Sequence, residues 1–349
     1  MASKMKKGSS LPTSKDVAQY AGVSQSTVSY VITGSKKISD ATRKKVEEAM
    51  QVLGYHPHSG ARALRTAKTR MLVLMVHLAE GSDAFETVPY INAITQEAQK
   101  FGYEVVLSTG APSASALEEL SRRGICDGFI LMDISRNDER IPLAESMHLP
   151  VVLMGRPERS VDLDIVDVDA RYAADQIIRD LVATGHRSVA VLGGSEHEVE
   201  DHLFVAEFFE GLTDSAAAHG LELQVFRPRN DSWQAMEATL PQILADQHER
   251  LAVVTRTPRS CSQAYSLLEA AGLSVGEDVS LVGYCSNHAA CEYPRPLSNV
   301  STIAITQSKM AVQTLISRLE NPQVPCVTTL LKAPPFHRRE TTVDWNLRG

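Results

Sequence analysis

The apolar positions along the chain keep two different rhythms, and the change comes near residue 70. Before it they form narrow helical stripes. Val17, Ala18 and Ala21 fall at i, i+1 and i+4, a face suited to close packing of a small helix. Thr13 is placed to cap that helix, and Asp16 sits in its first turn near the positive end of the helix dipole. Gly22 ends it, Val23 turns inward, and Ser24 is placed to cap a second helix carrying Thr27, Val28, Val31 and Ile32. Two short helices joined by a tight glycine-containing turn make a helix-turn-helix. A third helix after Ser39-Asp40 keeps Val46, Ala49, Met50 and Leu53 on one face. Residues 11–56 therefore read as an all-α three-helix unit with a minimal core. Pro57 stops the third helix, and within the linker 57–70 the stretch Ala61–Leu64 suffices for one or two helical turns.

From Met71 short apolar runs alternate with amphipathic segments. The predicted strands are Met71–Leu78, Tyr103–Ser108, Gly128–Met132, Val151–Met154, Ser188–Leu192, Leu251–Thr255 and Val279–Tyr284. The predicted helices are Phe85–Phe101, Asp169–Thr184, Leu203–His219, Trp233–Gln247 and Ser260–Ala271. Buried-type strands alternating with helices predict an α/β body, residues 71–349, with doubly wound parallel sheets covered on both faces. The run is long enough for two such sheets.

Charge divides the chain at the same place. Thirteen Lys and Arg against four Asp and Glu give residues 1–70 a net charge of +9; the whole chain is −7, so the remainder carries −16. A basic head on an acidic body points to a nucleic-acid partner, with affinity drawn largely from counterion release and so dependent on salt. The 43% hydrophobic content suffices for a large core. The absence of a long apolar run and of an apolar stretch in the basic Met1–Ser10 leads us to expect neither a membrane span nor a signal peptide. Five scattered cysteines fit free thiols in a reducing cytoplasm.

The polar face of the second helix carries the first candidate chemistry. Gln25, Ser26 and Ser29 project from turns where a major-groove helix meets base edges, and Gln can bond adenine bidentately. Taken alone the same residues fit a solvated helix face equally well; the basic flank favours DNA. Other apparent motifs carry nothing. His197 and His202 are five apart in HEVEDH, whereas zinc-binding HExxH needs four. Gly193-Gly194-Ser195 lacks the rest of a phosphate loop, Cys285 and Cys291 lack CxxC spacing, and His56 and His58 flank a proline turn. No metal, cofactor or enzyme activity is expected.

The runs DVAQYAGVSQSTVSYVI, ISDATRKKVEEAM and GYHPHSGARAL resemble the LacI family of bacterial transcription regulators, of which the lac repressor is the type member. The resemblance continues through MGRP (154–157), VDVD (166–169), GHRSVAVLGG (185–194) and EDVSLVGY (277–284), and so spans nearly the whole chain. It implies a repressor that binds a pseudo-palindromic operator as a homodimer in the bacterial cytoplasm, on the nucleoid. It also implies a hinge helix after the head and a body of two periplasmic-binding-protein-like lobes, crossed near Asp169, Asn299 and Leu330. The implied DNA contacts are Thr13, Ser24, Gln25, Ser26, Thr27, Ser29 and Tyr30 in the head, with His58, Ala61, Arg62 and Leu64 in the hinge. Leu64 falls where the family inserts a wedge between base pairs, which kinks the duplex. His58 stands where the family usually has Asn, a better cap, and Gly60 costs the hinge helix roughly 1 kcal/mol relative to Ala. Tyr30 replaces the type member's base-reading arginine, so the operator is expected to differ there. The type member's C-terminal tetramerising heptads are absent, so no tetramer is expected by that route.

Between the lobes the resemblance implies an effector cleft lined by Phe85, Asp133, Arg156, Phe208, Trp233, Arg256, Thr257, Tyr284 and Cys285. Four positions that hold polar sugar-binding groups in sugar-responsive members are Gly155, Phe208, Thr257-Pro258 and Cys285 here; only Trp233 survives. With Arg156, Arg256 and Arg259 nearby, an anionic or aromatic metabolite is expected rather than an ordinary sugar. The alternatives are arginines that pair with the acids of 196–210, an atypical sugar pocket, and a cleft without effector in a constitutive or partner-controlled repressor. A solute-binding protein would explain the body but not the basic head.

Overall fold

The computed structural model describes residues 12–33, 38–55, 68–78, 84–245 and 250–348, and contacts divide the chain into two units, Met1–Arg70 and Met71–Gly349. In the first unit α1 (Ser14–Ala21) opens on a capping box. The Thr13 hydroxyl accepts from the Asp16 N–H at 3.4 Å and the Asp16 carboxylate accepts from the Thr13 N–H at 2.7 Å. The Thr13 hydroxyl, which donates to the Asp16 carboxylate at 2.6 Å, and then the Thr13 N–H hold the Asp16 carboxyl below its ordinary pKa. Gly22 follows at φ 66°, the left-handed conformation that lets the turn close at once. The Ser24 hydroxyl accepts from the Thr27 N–H at 3.1 Å and so caps α2 (Gln25–Thr33). Ser39 caps α3 (Asp40–Leu53). Val17, Ala18, Val28, Val46, Ala49 and Tyr55 form the core, closed at its rim by Val31, Ile32, Met50 and Leu53.

The second unit holds two parallel sheets. One has six strands in the order β11-β5-β4-β3-β1-β2: β1 (Met71–Met75), β2 (Glu104–Ser108), β3 (Gly128–Leu131), β4 (Val151–Met154), β5 (Asp164–Val168) and β11 (Thr328–Leu331). The other has five in the order β10-β9-β8-β6-β7: β6 (Ser188–Leu192), β7 (Glu222–Phe226), β8 (Leu251–Thr255), β9 (Ser280–Tyr284) and β10 (Ser298–Val300). Every pairing between these strands is parallel. Their central strands are buried on both faces, as crossover helices on both sides require.

In the first lobe α4 (Ala84–Lys100) and α13 (Ala304–Glu320) pack one face of the sheet, while α5 (Ala114–Arg122) and α6 (Ile141–Ser146) pack the other. In the second lobe α7 (Ala170–Ala183) and α9 (Leu203–His219) cover one face, and α10 (Trp233–Ala245) and α11 (Pro258–Ala270) the other. A Cβ on Gly211 of α9 would lie 2.9 Å from the Arg171 Cα and 3.0 Å from the Ala174 Cβ, so glycine there sets the close approach of α9 to α7. The chain passes from the first lobe to the second after Val168, returns after Val300, and leaves again after Leu331. Two short helices, α8 (Glu196–Asp201) and α12 (Asn287–Ala290), follow the ends of β6 and β9. Among the described residues no helix is long and apolar enough to cross a membrane.

Candidate functional site

In the head Ser24, Gln25 and Ser26 are exposed, and Thr27, Ser29 and Tyr30 half-buried, along the start of α2. Their side chains are tied to one another: the Ser24 hydroxyl lies 2.7 Å from that of Ser26 and 2.8 Å from that of Thr27. Gln25 Nε2 donates to Ser14 Oγ at 2.9 Å, so the expected adenine reader spans the two helices and must exchange that bond to reach a base. Thr13 serves as the α1 cap. His58, Ala61, Arg62 and Leu64 lie outside the described residues.

In the body, the candidate residues gather beyond the carboxyl ends of strands, where open α/β sheets bind ligands. Asp133 follows β3 in a left-handed conformation, φ 54°, and its carboxylate accepts from the His77 N–H at 2.8 Å. Arg156 follows β4: its Nε donates to Asp167 of β5 at 2.8 Å, and its Nη2 pairs with Glu207 of α9 in the other lobe. Arg256 follows β8, bonds Glu198 of α8, and has Nη1 3.9 Å from Glu86 of the first lobe. Its guanidinium also lies over the Phe204 ring at 5.6 Å. Only 7% of its side chain is exposed, and its Nε has no hydrogen-bond partner. The Ile134 carbonyl lies 3.3 Å from His202 Nδ1, and the Arg136 N–H donates to the Asp201 carbonyl at 2.7 Å, so backbone joins the lobes as well.

Carboxylates outnumber guanidinium groups here. Burial pushes the Asp167 carboxyl up, more than Arg156 pulls it back. Burial and then the charge of Glu198 push Asp231 up against the opposing pull of Arg256 and Arg259. Burial likewise raises the phenols of Tyr90 and Tyr284, which belong to opposite lobes yet both sense the charges of Glu86, Arg256 and Asp167.

This geometry corrects the expectation of a basic cleft. Arg156 and Arg256 are the pairing arginines of the alternative reading, matched to Glu207 and Glu198, and an incoming anion would face Glu86, Asp167 and Asp231 too. Phe208 is not on the wall either. It is 1% exposed, stacked on Tyr284 with ring centroids 5.1 Å apart inside the second lobe's core. Cys285 is fully buried in the other core of that lobe, where its carbonyl accepts from Asn299 Nδ2 at 2.7 Å. Both side chains are packing residues because each follows or faces a strand that is buried on both sides. Thr257 is spent on a capping box with Ser260. Trp233 is 45% exposed at the start of α10. Phe85 lies in the first turn of α4, its side chain outside the described residues. Residues that sequence reasoning missed are Glu86, Asp167, Asp231 and Gln263, while Glu198 and Glu207 fall in the acidic stretch 196–210 of the alternative reading. Gln263 donates to the Asp231 carbonyl at 3.1 Å and leaves a buried Oε1 unmatched. The adjacent acids in VDVD were the available signal for Asp167.

The signature of bacterial regulatory proteins of the lacI family matches residues 13–58, and that of a periplasmic binding protein-like domain matches residues 178–342. The chain carries a lacI-family DNA-binding head followed by a periplasmic binding protein-like domain. The chain is 28% identical to the HTH-type transcriptional regulator CelR of Thermobifida fusca, over 88% of this chain and 92% of that protein. It is 27% identical to the ribose operon repressor of Haemophilus influenzae, over 92% and 96%. Among solved structures, the lac repressor dimer bound to operator and the anti-inducer ONPF superposes with a TM-score of 0.83 at 22% identity, over 96% of this chain and all of that one. The CelR–cellobiose complex gives 0.67 at 26% identity, over 95% and 99%. The chain is a DNA-binding transcriptional regulator, and its relatives are regulators rather than enzymes.

Proposed function

We propose that the chain represses transcription from the bacterial cytoplasm as a homodimer on a pseudo-palindromic operator, with operator affinity set by a small molecule held between the lobes. The observation that carries the effector reading is the meeting of Arg156, Glu207, Arg256, Glu86 and Glu198 at the mouth of the cleft, on both sheets' carboxyl ends. Such a site couples lobe placement to whatever enters it, and a ligand shifts operator affinity only by its differential affinity for the two placements.

The effector class we favour is an uncharged polyhydroxylated molecule. Hydroxyl groups donate to carboxylates and accept from guanidinium groups, so they suit a zwitterionic wall where an added anion meets like charge. The names of the relatives, a ribose operon repressor and a CelR–cellobiose complex, point to the same class. Trp233 supplies an apolar face for a sugar ring.

The test has two parts, both with the full chain. Selection of duplexes from random DNA should return a motif with two inverted half-sites, and Leu64→Ala should weaken binding to that motif far more than to unrelated DNA. Equal loss on both would remove the wedge role. A thermal-shift screen of pentoses, hexoses, disaccharides and carboxylic acids should then raise the melting temperature with a sugar, through mass action, and lose that rise in Trp233→Ala. Stabilisation by carboxylic acids alone would overturn the effector class.

A further inference from the structure

Side-chain and backbone groups of the chain itself join the two lobes. Arg156 sits on the loop after β4 in the first lobe and Glu207 on α9 in the second; the pair is half-buried, with side-chain exposures of 23% and 18%. Arg156 is held from behind by Asp167, itself 2% exposed. The guanidinium is therefore fixed in one orientation, with its Nη2 edge presented to the other lobe. Glu207 is equally constrained, because its neighbours on α9, Ala206 and Phe208, are buried in the packing of that lobe. A charge-assisted bond between two pre-positioned groups loses little side-chain freedom on forming. Close by, the Arg136 N–H bonds the Asp201 carbonyl and Arg256 approaches Glu86, both across the same boundary.

We propose that Glu207 is a tethered latch and the residue that sets effector specificity. Paired with Arg156, it holds the lobes together from the chain's own groups, so an effector acts by parting this pair and bridging it. This rests on the cleft being the effector site. A hydroxyl-bearing ligand satisfies both partners at once, donating to Glu207 and accepting from Arg156. A carboxylate would have to evict Glu207 and then lie against Asp167; an amine would have to evict Arg156. The latch thus selects for neutral ligands without any contact to the rest of the molecule that enters.

Hydrogen exchange of the full-length protein tests the latch directly. In Glu207→Gln, exchange of the Arg136 amide, whose acceptor lies in the other lobe, should quicken roughly tenfold, since loss of a charge-assisted bond raises the population of the open form. Glu210→Gln is the control. Glu210 stands on the same helix but pairs with Arg171 inside its own lobe, so exchange at Arg136 should stay as in the parent. Unchanged exchange in Glu207→Gln overturns the latch, as does an equal increase in Glu210→Gln. The melting temperature of each variant separates lobe opening from general loss of fold. Failure of the parent protein to select any DNA motif would count against the regulatory reading while leaving this exchange contrast intact.

Discussion

Arg140 and Arg256 are both nearly withdrawn from solvent, and they are held in opposite ways. Arg140, 1% exposed, bonds Asp138 two residues earlier through Nε at 2.9 Å and Nη2 at 2.6 Å, and donates to the Met132 carbonyl at 2.8 Å. The acceptors of its side chain, Met132, Asp133 and Asp138, all belong to one loop. Arg256 instead reaches a carboxylate in each lobe and leaves its Nε unmatched. A buried charge satisfied locally fixes a loop. One shared between bodies and incompletely satisfied reports on how those bodies are placed. The first lobe's loop 132–140 is thus a rigid abutment, and the other side of the cleft is where adjustment is stored.

Substitutions should separate these roles. The largest effect is expected for Arg140→Met, which strands Asp138 in the interior and should cost about 3–5 kcal/mol of body stability in denaturant titration. Burial alone would raise the Asp138 carboxyl, but the bonds and charge of Arg140 hold it lowered. This pair therefore stabilises the fold above the ordinary carboxylate range and is lost as pH falls below it. Arg256→Met should cost less, about 1–3 kcal/mol, while changing operator affinity, because its partners keep access to water. If the two variants lose equal stability and both leave operator binding unchanged, the contrast collapses. His186 offers an intermediate case, a buried group with no ionic partner. Burial lowers its pKa from 6.5 to about 4, and its ring lies between the Thr184 and Ser280 hydroxyls. Its contribution is present above pH 6.5 and is lost as pH falls toward 4; the pH dependence of melting should flatten over that interval in His186→Gln. The smallest effect is expected in the head, where Thr13→Ala should cost about 1 kcal/mol through loss of the α1 cap, read from the head's own unfolding transition.

How far the sequence went depends on which groups face which. The head was legible because its caps and apolar stripe are local: Thr13, Gly22 and Ser24 act within four residues of themselves. The central strands were legible as apolar runs. β5 was not, because Asp164 and Asp167 interrupt it; they are buried there through Arg318, far away in the chain, and Arg156 on the preceding loop. The long helix α13 was missed because Gln307 and Ser308 occupy the buried face of its first turns, where Gln307 donates to the Val166 carbonyl at 3.0 Å. β11 failed for the reason edge strands do: Thr328 and Leu330 face solvent. The cleft was half legible. Aligning motifs located Arg156 and Arg256, but their charge partners come from α4, α8 and α9, and composition alone could not assign Glu207 to Arg156 rather than to water.

The three crossings between lobes also govern how the body comes into being at the ribosome. Five of the first lobe's six strands are made early, but α13, which packs on α4, and β11, which pairs with β5, are made only after nearly all of the second lobe. The first lobe must wait, with an apolar face uncovered and an unpaired edge, while its neighbour is translated. The second lobe waits in turn for the final residues, since the Leu281 N–H bonds the Thr341 carbonyl and the Trp345 N–H the Thr184 carbonyl. Neither lobe can be released as a finished product from a shortened message, so a premature stop anywhere before the last segment leaves no finished lobe.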